Sequence, residues 1–321
     1  MSLRTTLAGL LQAGFSLIEA LITVAITGIL MAALGGVVGQ ALQTGDVVRE
    51  HNDLAEEAAF AMERMVRAVG LSRGLILPLG DNPDTAGVTE NIRDSSTNGG
   101  VLAVRLPAYV DLDADGSPDA DNDGDGRLDE DLPADATNDG APGIRDIDDD
   151  GDGGVDPSLS PVGDDDESSD LAEGEDPING LDDDGDGTVD EDPGDDRDGD
   201  GCPGSCGMDD DYDGTADEGS AADDDEDGQA DEDWYDPVVF HLQGEALVER
   251  MPVPWDENSS GGMDGQDYIE STIADNVSQF RVERIPQGGD RAQRVDLTLE
   301  LSGPSGETIS LHTQVRVGGA L

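Results

Sequence analysis

The 321-residue chain contains no lysine: its 16 basic residues are all arginines, set against 76 Asp and Glu, and the net charge is −60. Phosphate binding needs clustered Lys and Arg, so nucleic acid is excluded as a partner and cations become the natural one. Aromatic residues make up only 3% of the chain, which does not describe one ordinary globular domain. Histidine is confined to His51, His241 and His312. With no Ser-His-Asp set, zinc-type cluster or phosphate-cradling glycine loop between a strand and a helix, the chain does not read as an enzyme.

The acid is concentrated. Between Asp111 and Asp233 lie 51 of the 76 carboxylates against three arginines, Arg127, Arg145 and Arg197, a local charge of about −48. The chain thus falls into an apolar N-terminus, an acidic middle and a mixed remainder large enough for its own core.

The apolar run is Gly14–Val38, GFSLIEALITVAITGILMAALGGVV, with a single carboxylate, Glu19, and no further charge until Asp46. A spanning helix needs about 20 apolar residues, so this run can sit in a membrane. An ionised carboxylate there costs on the order of 3 kcal/mol, which marks Glu19 as functional. A short leader, Met1–Gly14, carries Arg4 and the Thr5–Thr6 pair. A secretory signal would place its cleavage site after the apolar stretch, whereas here the breakpoint precedes it. Beyond Asp46 the apolar residues Val47, Leu54, Ala58, Met62, Met65, Val66 and Val69 recur at helical spacing, and Gly70 and Gly74 supply stops. Gly28, Gly35, Gly36 and Gly39 lower helix propensity by about 1 kcal/mol each, and mark either a softer stretch or close helix packing.

In the remainder, residues 100–107 alternate as a strand. Residues 237–243 and 246–250 read as strands joined around Gly244, and residues 271–284 as a short helix ending in a strand. Residues 294–302 and 308–317 form the clearest hairpin, around the turn Gly303-Pro304-Ser305-Gly306.

The acidic middle repeats the unit D-x-D-x-D-G-x-φ-D, where φ is aliphatic. It occurs as Asp121/Asp123/Asp125/Gly126/Asp129, Asp148/Asp150/Asp152/Gly153/Asp156, Asp182/Asp184/Asp186/Gly187/Asp190, Asp209/Asp211/Asp213/Gly214/Asp217 and Asp223/Asp225/Asp227/Gly228/Asp231. Asp111/Asp113/Asp115/Gly116/Asp119 has Pro118 at the apolar place, and Asp196/Asp198/Asp200/Gly201 lacks the last aspartate. Aspartates at positions 1, 3 and 5 point three carboxylates at one centre, the glycine at 6 makes the sharp turn, and position 7 offers its carbonyl: oxygen coordination of a hard cation, with calcium preferred to magnesium because it tolerates more ligands at looser geometry. The aliphatic at position 8 (Leu128, Val155, Val189, Ala216, Ala230) is expected to pack on the next unit. Position 12 is never Glu, so Asp131, Asp192 and Asp233 at position 11, or a neighbouring repeat, must supply the missing oxygens, with modest affinity of about 10⁻⁴ to 10⁻³ M. The bland alternative is a disordered acidic linker. Cys202 and Cys206 lie inside this array, and in an extracytoplasmic setting read as a local disulfide, with two free thiols as the alternative.

Gly14 to Glu19, G-F-S-L-I-E, resembles the processing site of type IV prepilins and pseudopilins. The resemblance implies that a prepilin peptidase cuts after Gly14 and methylates Phe15, and that Glu19 meets the N-terminal amine of a neighbouring subunit during assembly, pairing two charges that would be costly to bury alone. VVFHLQGEALVER followed by IADNVSQFRVER and a terminal hairpin resembles the PilW-like minor pilins and the J-type pseudopilins of type II secretion, although the ending VRVGGAL departs from theirs. The repeats resemble EF-hand-type loops without flanking helices, as in thrombospondin type 3 and dockerin-like repeats.

The expected fold is α+β, a long N-terminal hydrophobic helix packed on an antiparallel β-sheet with an irregular calcium-binding insertion. Its parts are leader 1–14, assembly helix 15–72, pilin-like β domain 73–110 and 234–321, and insertion 111–233. The expected role is a structural subunit, minor or priming, of a type IV pilus-like or pseudopilus filament, carrying several calcium ions. Its partners are other pilin or pseudopilin subunits, the prepilin peptidase and the bacterial inner membrane before assembly; afterwards it stands in a periplasmic or cell-surface filament. Two alternatives stay open: a type II secretion pseudopilin, and a membrane-tethered calcium-dependent adhesin that never polymerises.

Overall fold

The computed structural model describes residues 16–80, 90–124, 126–129, 131–149, 151, 153–155, 194–197, 199–285 and 293–319. Expectations at Gly14, Phe15, Asp125, Asp150, Asp152, Asp156, Asp182, Asp184, Asp186, Gly187, Val189, Asp190, Asp192 and Asp198 lie outside these residues. The chain divides into a unit ending at Asn52 and a unit running from Asp53 to Leu321.

In the first unit the elongated apolar run forms the start of helix α1, Leu17–Leu71. Its entry is a capping box: the Ser16 N–H donates to Glu19 Oε2 at 3.0 Å, and the Glu19 N–H to Ser16 Oγ at 3.3 Å. Two otherwise orphaned donors are satisfied reciprocally. Thr27 folds its hydroxyl back onto the Thr23 carbonyl at 2.7 Å, so it presents no unmet donor to an apolar medium. The glycines at 28, 35, 36 and 39 do not interrupt the helix, and a Cβ at any of them would meet nothing within 4 Å, so no packing inside this chain requires them. Leu17, Ile29 and Met31 are 70% exposed or more. The helix is long and apolar enough to cross a membrane.

In the second unit α1 becomes amphipathic. Leu54, Ala58, Ala61, Met62, Met65 and Val69 are buried, at the three- and four-residue spacing of one helical face. The helix stops at Leu71, and the hydroxyl of Ser72 just beyond it lies within hydrogen-bond distance of the Gly74 carbonyl, 2.7 Å, and the Arg105 carbonyl, 2.8 Å. Among the described residues nine strands follow: β1 (Leu75–Leu77), β2 (Ile92–Asp94), β3 (Val101–Arg105), β4 (Pro237–Gln243), β5 (Ala246–Pro252), β6 (Tyr268–Ala274), β7 (Val277–Ile285), β8 (Arg294–Ser302) and β9 (Thr308–Arg316). They make two antiparallel sheets, ordered β1-β3-β4-β5-β6 and β2-β7-β8-β9. The class is α+β, as the sequence implies. The division into two sheets is new, and residues 271–284 hold no helix: two strands turn at Asn276, whose φ of 55° is one that Asn tolerates.

The main core lies between the buried face of α1 and both sheets, with Leu102, Val104, Phe240, Leu247, Phe280, Val282, Leu297 and Leu299 at its centre. Strand β8 buries every second residue from Val295 to Leu301 and leaves the others part-exposed, the half-buried alternation that fixes its register. The acidic segment is inserted between neighbouring strands, since β3 pairs with β4 from Val101↔His241 to Arg105↔Pro237. Part of the insertion returns to the domain. Ile144 and Ile147 pack with Leu77, Val101, Ala103 and Val239 in a second apolar cluster.

Two arginines fasten that return, and a third ties α1 to β5. Arg250 donates to the Arg145 carbonyl at 2.8 Å and stacks over Tyr268 at 4.1 Å. Arg93, 1% exposed, donates to the Asn98 carbonyl at 2.7 Å and to the Asp149 carbonyl, and faces Asp148 at 3.5 Å. Arg64 on α1 pairs with buried Glu249 on β5 at 2.5 Å. Breaking one side of a buried pair costs about 3–5 kcal/mol. Arg93→Met is accordingly expected to lower the urea midpoint and to speed tryptic cleavage after Arg145; an unchanged midpoint would rule out Arg93 as an anchor of the insertion.

Candidate metal centres and the assembly helix

The loops of the acidic segment share one backbone. In those starting at Asp111, Asp121, Asp148, Asp196, Asp209 and Asp223, the residue at position 4 has positive φ (Ala114 61°, Gly124 86°, Gly151 84°, Gly199 65°, Tyr212 65°, Glu226 63°) and so has the glycine at position 6 (84° to 102°). The left-handed residue at 4 turns the chain so that the carboxylate at position 1 can reach the amide at position 6. Asp121 accepts the Gly126 N–H at 3.1 Å, Asp196 that of Gly201 at 2.9 Å, Asp209 that of Gly214 at 3.1 Å and Asp223 that of Gly228 at 3.4 Å.

Two further loops have the same form. Asp135-x-Thr137-x-Asp139-Gly140 bonds the Gly140 N–H to Asp135 at 2.7 Å, with Asn138 at φ 49°. Asp256-x-Asn258-x-Ser260-Gly261, in the β5–β6 connection, bonds the Gly261 N–H to Asp256 at 3.1 Å, with Ser259 at φ 63°. A search for strict D-x-D-x-D-G passes over both, because Thr, Asn and Ser stand where Asp was sought; any oxygen-bearing side chain at 3 and 5 would have been the better signal. The two loops meet where the Gly265 N–H donates to the Asn138 carbonyl at 2.9 Å, and a Cβ at Gly265 would collide with the Thr137 carbonyl.

A second rule joins the loops. In four of them one carboxylate gathers the N–H groups of positions 2 and 9. Asp233 takes those of Asn122 (3.0 Å) and Asp129, while Asp131 takes those of Asp224 (3.1 Å) and Asp231 (2.9 Å). Glu226 serves Asp210 (2.9 Å) and Asp217 (2.6 Å), and Asp267 serves Glu257 (2.7 Å) and Asp264 (3.1 Å). The loops at 121 and 223, the first strict repeat and the last, thus lock reciprocally through their position-11 residues. Asp131 and Asp233 are spent chiefly on amides, and the carboxylates that converge within 4.8 Å come from both partners: Asp123 with Asp227 and Glu232, and Asp131 with Asp225 and Glu232. Asp209, Asp211 and Glu226 form another such group, and Asp111, Asp113 and Asp115 another.

Not every aspartate of the repeats faces such a centre. Asp129 sits between Arg73 and Arg105, each at 3.7 Å, with Arg105 stacked on Tyr235. Asp119 accepts the Leu112 N–H and Asp217 the Gly207 N–H, while Asp225, although it lies in the group with Asp131 and Glu232, also pairs with Arg127 at 2.7 Å. Asp148 faces Arg93, and Asp200 accepts the Cys202 and Cys206 amides. Among the described residues the position-8 side chains form no stacked core: Ala216 and Ala230 are exposed, Val155 is 45% exposed, and Leu128 packs against the main core instead. Leu132 and Trp234, at position 12 where an EF-hand loop would carry Glu, are buried instead. Cys202 and Cys206 form a disulfide, Cα to Cα 5.2 Å.

The donor set fits a hard cation. Buried carboxylate oxygens of Asp196, Asp209, Glu218, Asp231 and Glu232 have no hydrogen-bond partner, a costly state for an anion unless a cation meets it, and that of Asp224 has Arg197 at 3.8 Å. Burial drives the acidities the same way. Asp139 and Asp224 are raised to about 7, the first with Asp135 and the second with Asp131 adding repulsion. Asp129 and Asp231 rise to about 6, and Glu232 to about 9, where Asp131 both bonds and repels it. Asp129 has Arg73 and Arg105 beside it; the others hold a proton to higher pH than an ordinary carboxyl unless a cation meets them.

The sign follows. A carboxyl raised in the folded state holds a proton that the unfolded chain has lost, so folding stability without metal falls as pH climbs from about 4 through 7. In a chelator the urea midpoint of the insertion is expected to be higher at pH 5 than at pH 8. An equal or higher midpoint at pH 8 would contradict the shifts at Asp139 and Asp224.

The family model for the prokaryotic N-terminal methylation motif matches residues 10–35. No curated protein and no solved structure matches the chain.

Proposed function

We infer that this chain is a filament subunit of the type IV pilin and pseudopilin kind, whose β domain carries a calcium-ordered insertion. The methylation motif on a long apolar helix supports a type IV pilin-like protein. The observation that carries the reading is their coincidence: from Leu17 onward the matched segment is the stretch of α1 whose apolar residues are exposed on every side. A helix apolar all round must be covered, by lipid before assembly and by other subunits after it. Prepilin peptidase would cut after Gly14 and methylate Phe15, leaving Glu19 at the fifth position. The β domain would form the filament's shell, in a minor or priming subunit.

Calcium would hold the insertion. Asp209, Asp211 and Glu226 would bind one ion, Asp123, Asp227 and Glu232 another, and the Asp256 loop extends the set beyond the acidic segment. The ion would supply charge neutralisation and cross-linking of loops, and this chain's own amides would orient the carboxylates. Mass spectrometry of filaments sheared from the cell surface tests the filament reading: it should find an N-terminal peptide beginning at Phe15, heavier by one methyl group. An intact Met1 terminus on the mature protein would refute it.

A further inference from the structure

We propose that Tyr212 of one copy docks into a groove on the next copy, a groove lined by α1, β5, β6 and residues 109–112. The inference rests on the filament and calcium readings above, which set copies side by side, and names two surfaces that meet.

The groove has a volume of about 650 Å³. Its apolar walls are Phe60 on α1, Val110 and Leu112 before and at the start of the insertion, Met251 on β5 and Ile269 on β6. These walls stand open, with Phe60 53% exposed, Leu112 46% and Ile269 42%. Binding sites have this make-up, apolar surfaces with a few charges set among them. Two arginines reach the groove. Arg64 is spent on Glu249, whereas Arg67 has the Tyr109 ring 5.8 Å from its guanidinium and pairs with none of the described carboxylates. Beside the apolar slot, then, stands a cation free to meet an anion. Glu63 and Asp111 also line the groove, but Asp111 converges with Asp113 and Asp115, so calcium held there removes negative charge from the rim.

Tyr212 suits such a slot. It is position 4 of the loop starting at Asp209, left-handed at φ 65°, and it is 86% exposed. Glycines 124, 151 and 199 fill the same position without strain, and Glu226 uses it to reach the Asp210 and Asp217 amides. Tyr212 has no such use, since among the described residues its hydroxyl makes no hydrogen bond and its ring meets no cation. A tyrosine has few side-chain rotations to lose, so a ring held out on a tight turn docks at low entropic cost.

Charge completes the fit. Asp209 and Asp211 converge with Glu226, whereas Asp213, next to Tyr212, lies outside that group and is exposed. With Tyr212 in the slot, Asp213 is the carboxylate that meets Arg67 and fixes the register. Knob and groove lie on different parts of the chain, so every contact leaves one of each open. A heterologous contact of this kind propagates. Calcium favours it at both surfaces, by neutralising Asp111 at the groove and Asp209 and Asp211 beside the knob.

The full-length chain would be placed in phosphatidylcholine nanodiscs holding one copy each, so that lipid covers α1, and sedimented in calcium chloride or in chelator. Calcium is expected to give chains of discs, and chelator single ones. Tyr212→Ala and Arg67→Glu should each weaken the association about thirtyfold, as loss of a hot-spot side chain does, while Tyr212→Phe and the charge-matched Arg316→Glu should leave it unchanged. Unchanged circular dichroism checks that each variant is folded. Mixing the two defective variants decides the geometry: one brings an intact groove and the other an intact knob, so pairs form and nothing longer. If Tyr212→Ala and Arg67→Glu associate as the wild type does, another surface joins the copies, and the knob and groove are wrong while the filament reading stands. If the wild type stays single in calcium, the contact is overturned, and the filament reading is decided separately by the Phe15 peptide.

Discussion

Removing divalent cations from the full-length chain is expected to expose Arg127, Arg145 and Arg197 to trypsin while the strands from β3 to β9 stay protected. The chain has no lysine, so trypsin can cut the insertion only after these three residues, and each is held by it. Arg127 pairs with Asp225 at 2.7 Å and donates to the Asp210 carbonyl, Arg145 donates to the Asp139 carbonyl at 3.0 Å, and Arg197 faces Asp224 at 3.8 Å. Three arginines cannot neutralise about 51 carboxylates, and self-repulsion opens a compact state. A ligand at about 100 times its Kd stabilises the form that binds it by about 2.7 kcal/mol, so cutting should slow roughly a hundredfold in calcium. The β domain, with its apolar core and 18 Asp and Glu against nine arginines in residues 73–110 and 234–321, provides the internal control. Equal cleavage rates in calcium and chelator would leave the acidic segment an ordinary linker.

The reciprocal lock explains why such a segment would respond as a unit. Asp131 and Asp233 each hold two amides of the partner loop, and Leu106 at the end of β3 donates to the Asp236 carbonyl before β4 at 2.8 Å, so both ends of the insertion are drawn together at its root. Cations shared by Asp123, Asp227 and Glu232 would tighten a contact that already spans the whole insertion in sequence. The expectation that each repeat packs on the next through its aliphatic position fails for this reason: the first partner of the loop at 121 is not its neighbour but the loop at 223.

What could be read from the sequence was what short-range chemistry decides. The apolar run, the spacing of Leu54, Ala58, Met62, Met65 and Val69, the terminal hairpin and the Asp-x-Asp-x-Asp-Gly units each follow from local periodicity or turn geometry. Strands β1 and β2, of three residues each, carry too little pattern to announce themselves and exist because longer strands accept them as edges. The onset of residues 271–284 looked helical, yet pairing of Tyr268–Pro252 through Ala274–Leu247 overrides the weak local preference. The diversion of Asp129 to Arg73 and Arg105 depends on residues far away in the chain and leaves no mark at Asp129 itself.

Glu19→Gln is expected to abolish filament incorporation while leaving the helix and its membrane insertion unchanged. Glu19 has two separable duties. In the free chain it completes the capping box with Ser16, and a cap is worth about 0.5–2 kcal/mol, too little to undo a helix of 55 residues. Glutamine can accept the same Ser16 N–H, so the variant keeps the cap and removes only the charge. In the assembled filament the charge would face the N-terminal amine of a neighbour, and there a neutral amide would leave a buried cation unpaired, at a cost of several kcal/mol per subunit. Glu19→Ala removes both duties and should assemble no better than Glu19→Gln, because the lost charge outweighs the lost cap. The comparison is read by quantifying each variant in sheared filaments against the membrane fraction. Normal incorporation of Glu19→Gln would show that the carboxylate acts through its cap alone, and surface display without filaments in the wild type and both variants would favour a membrane-tethered adhesin.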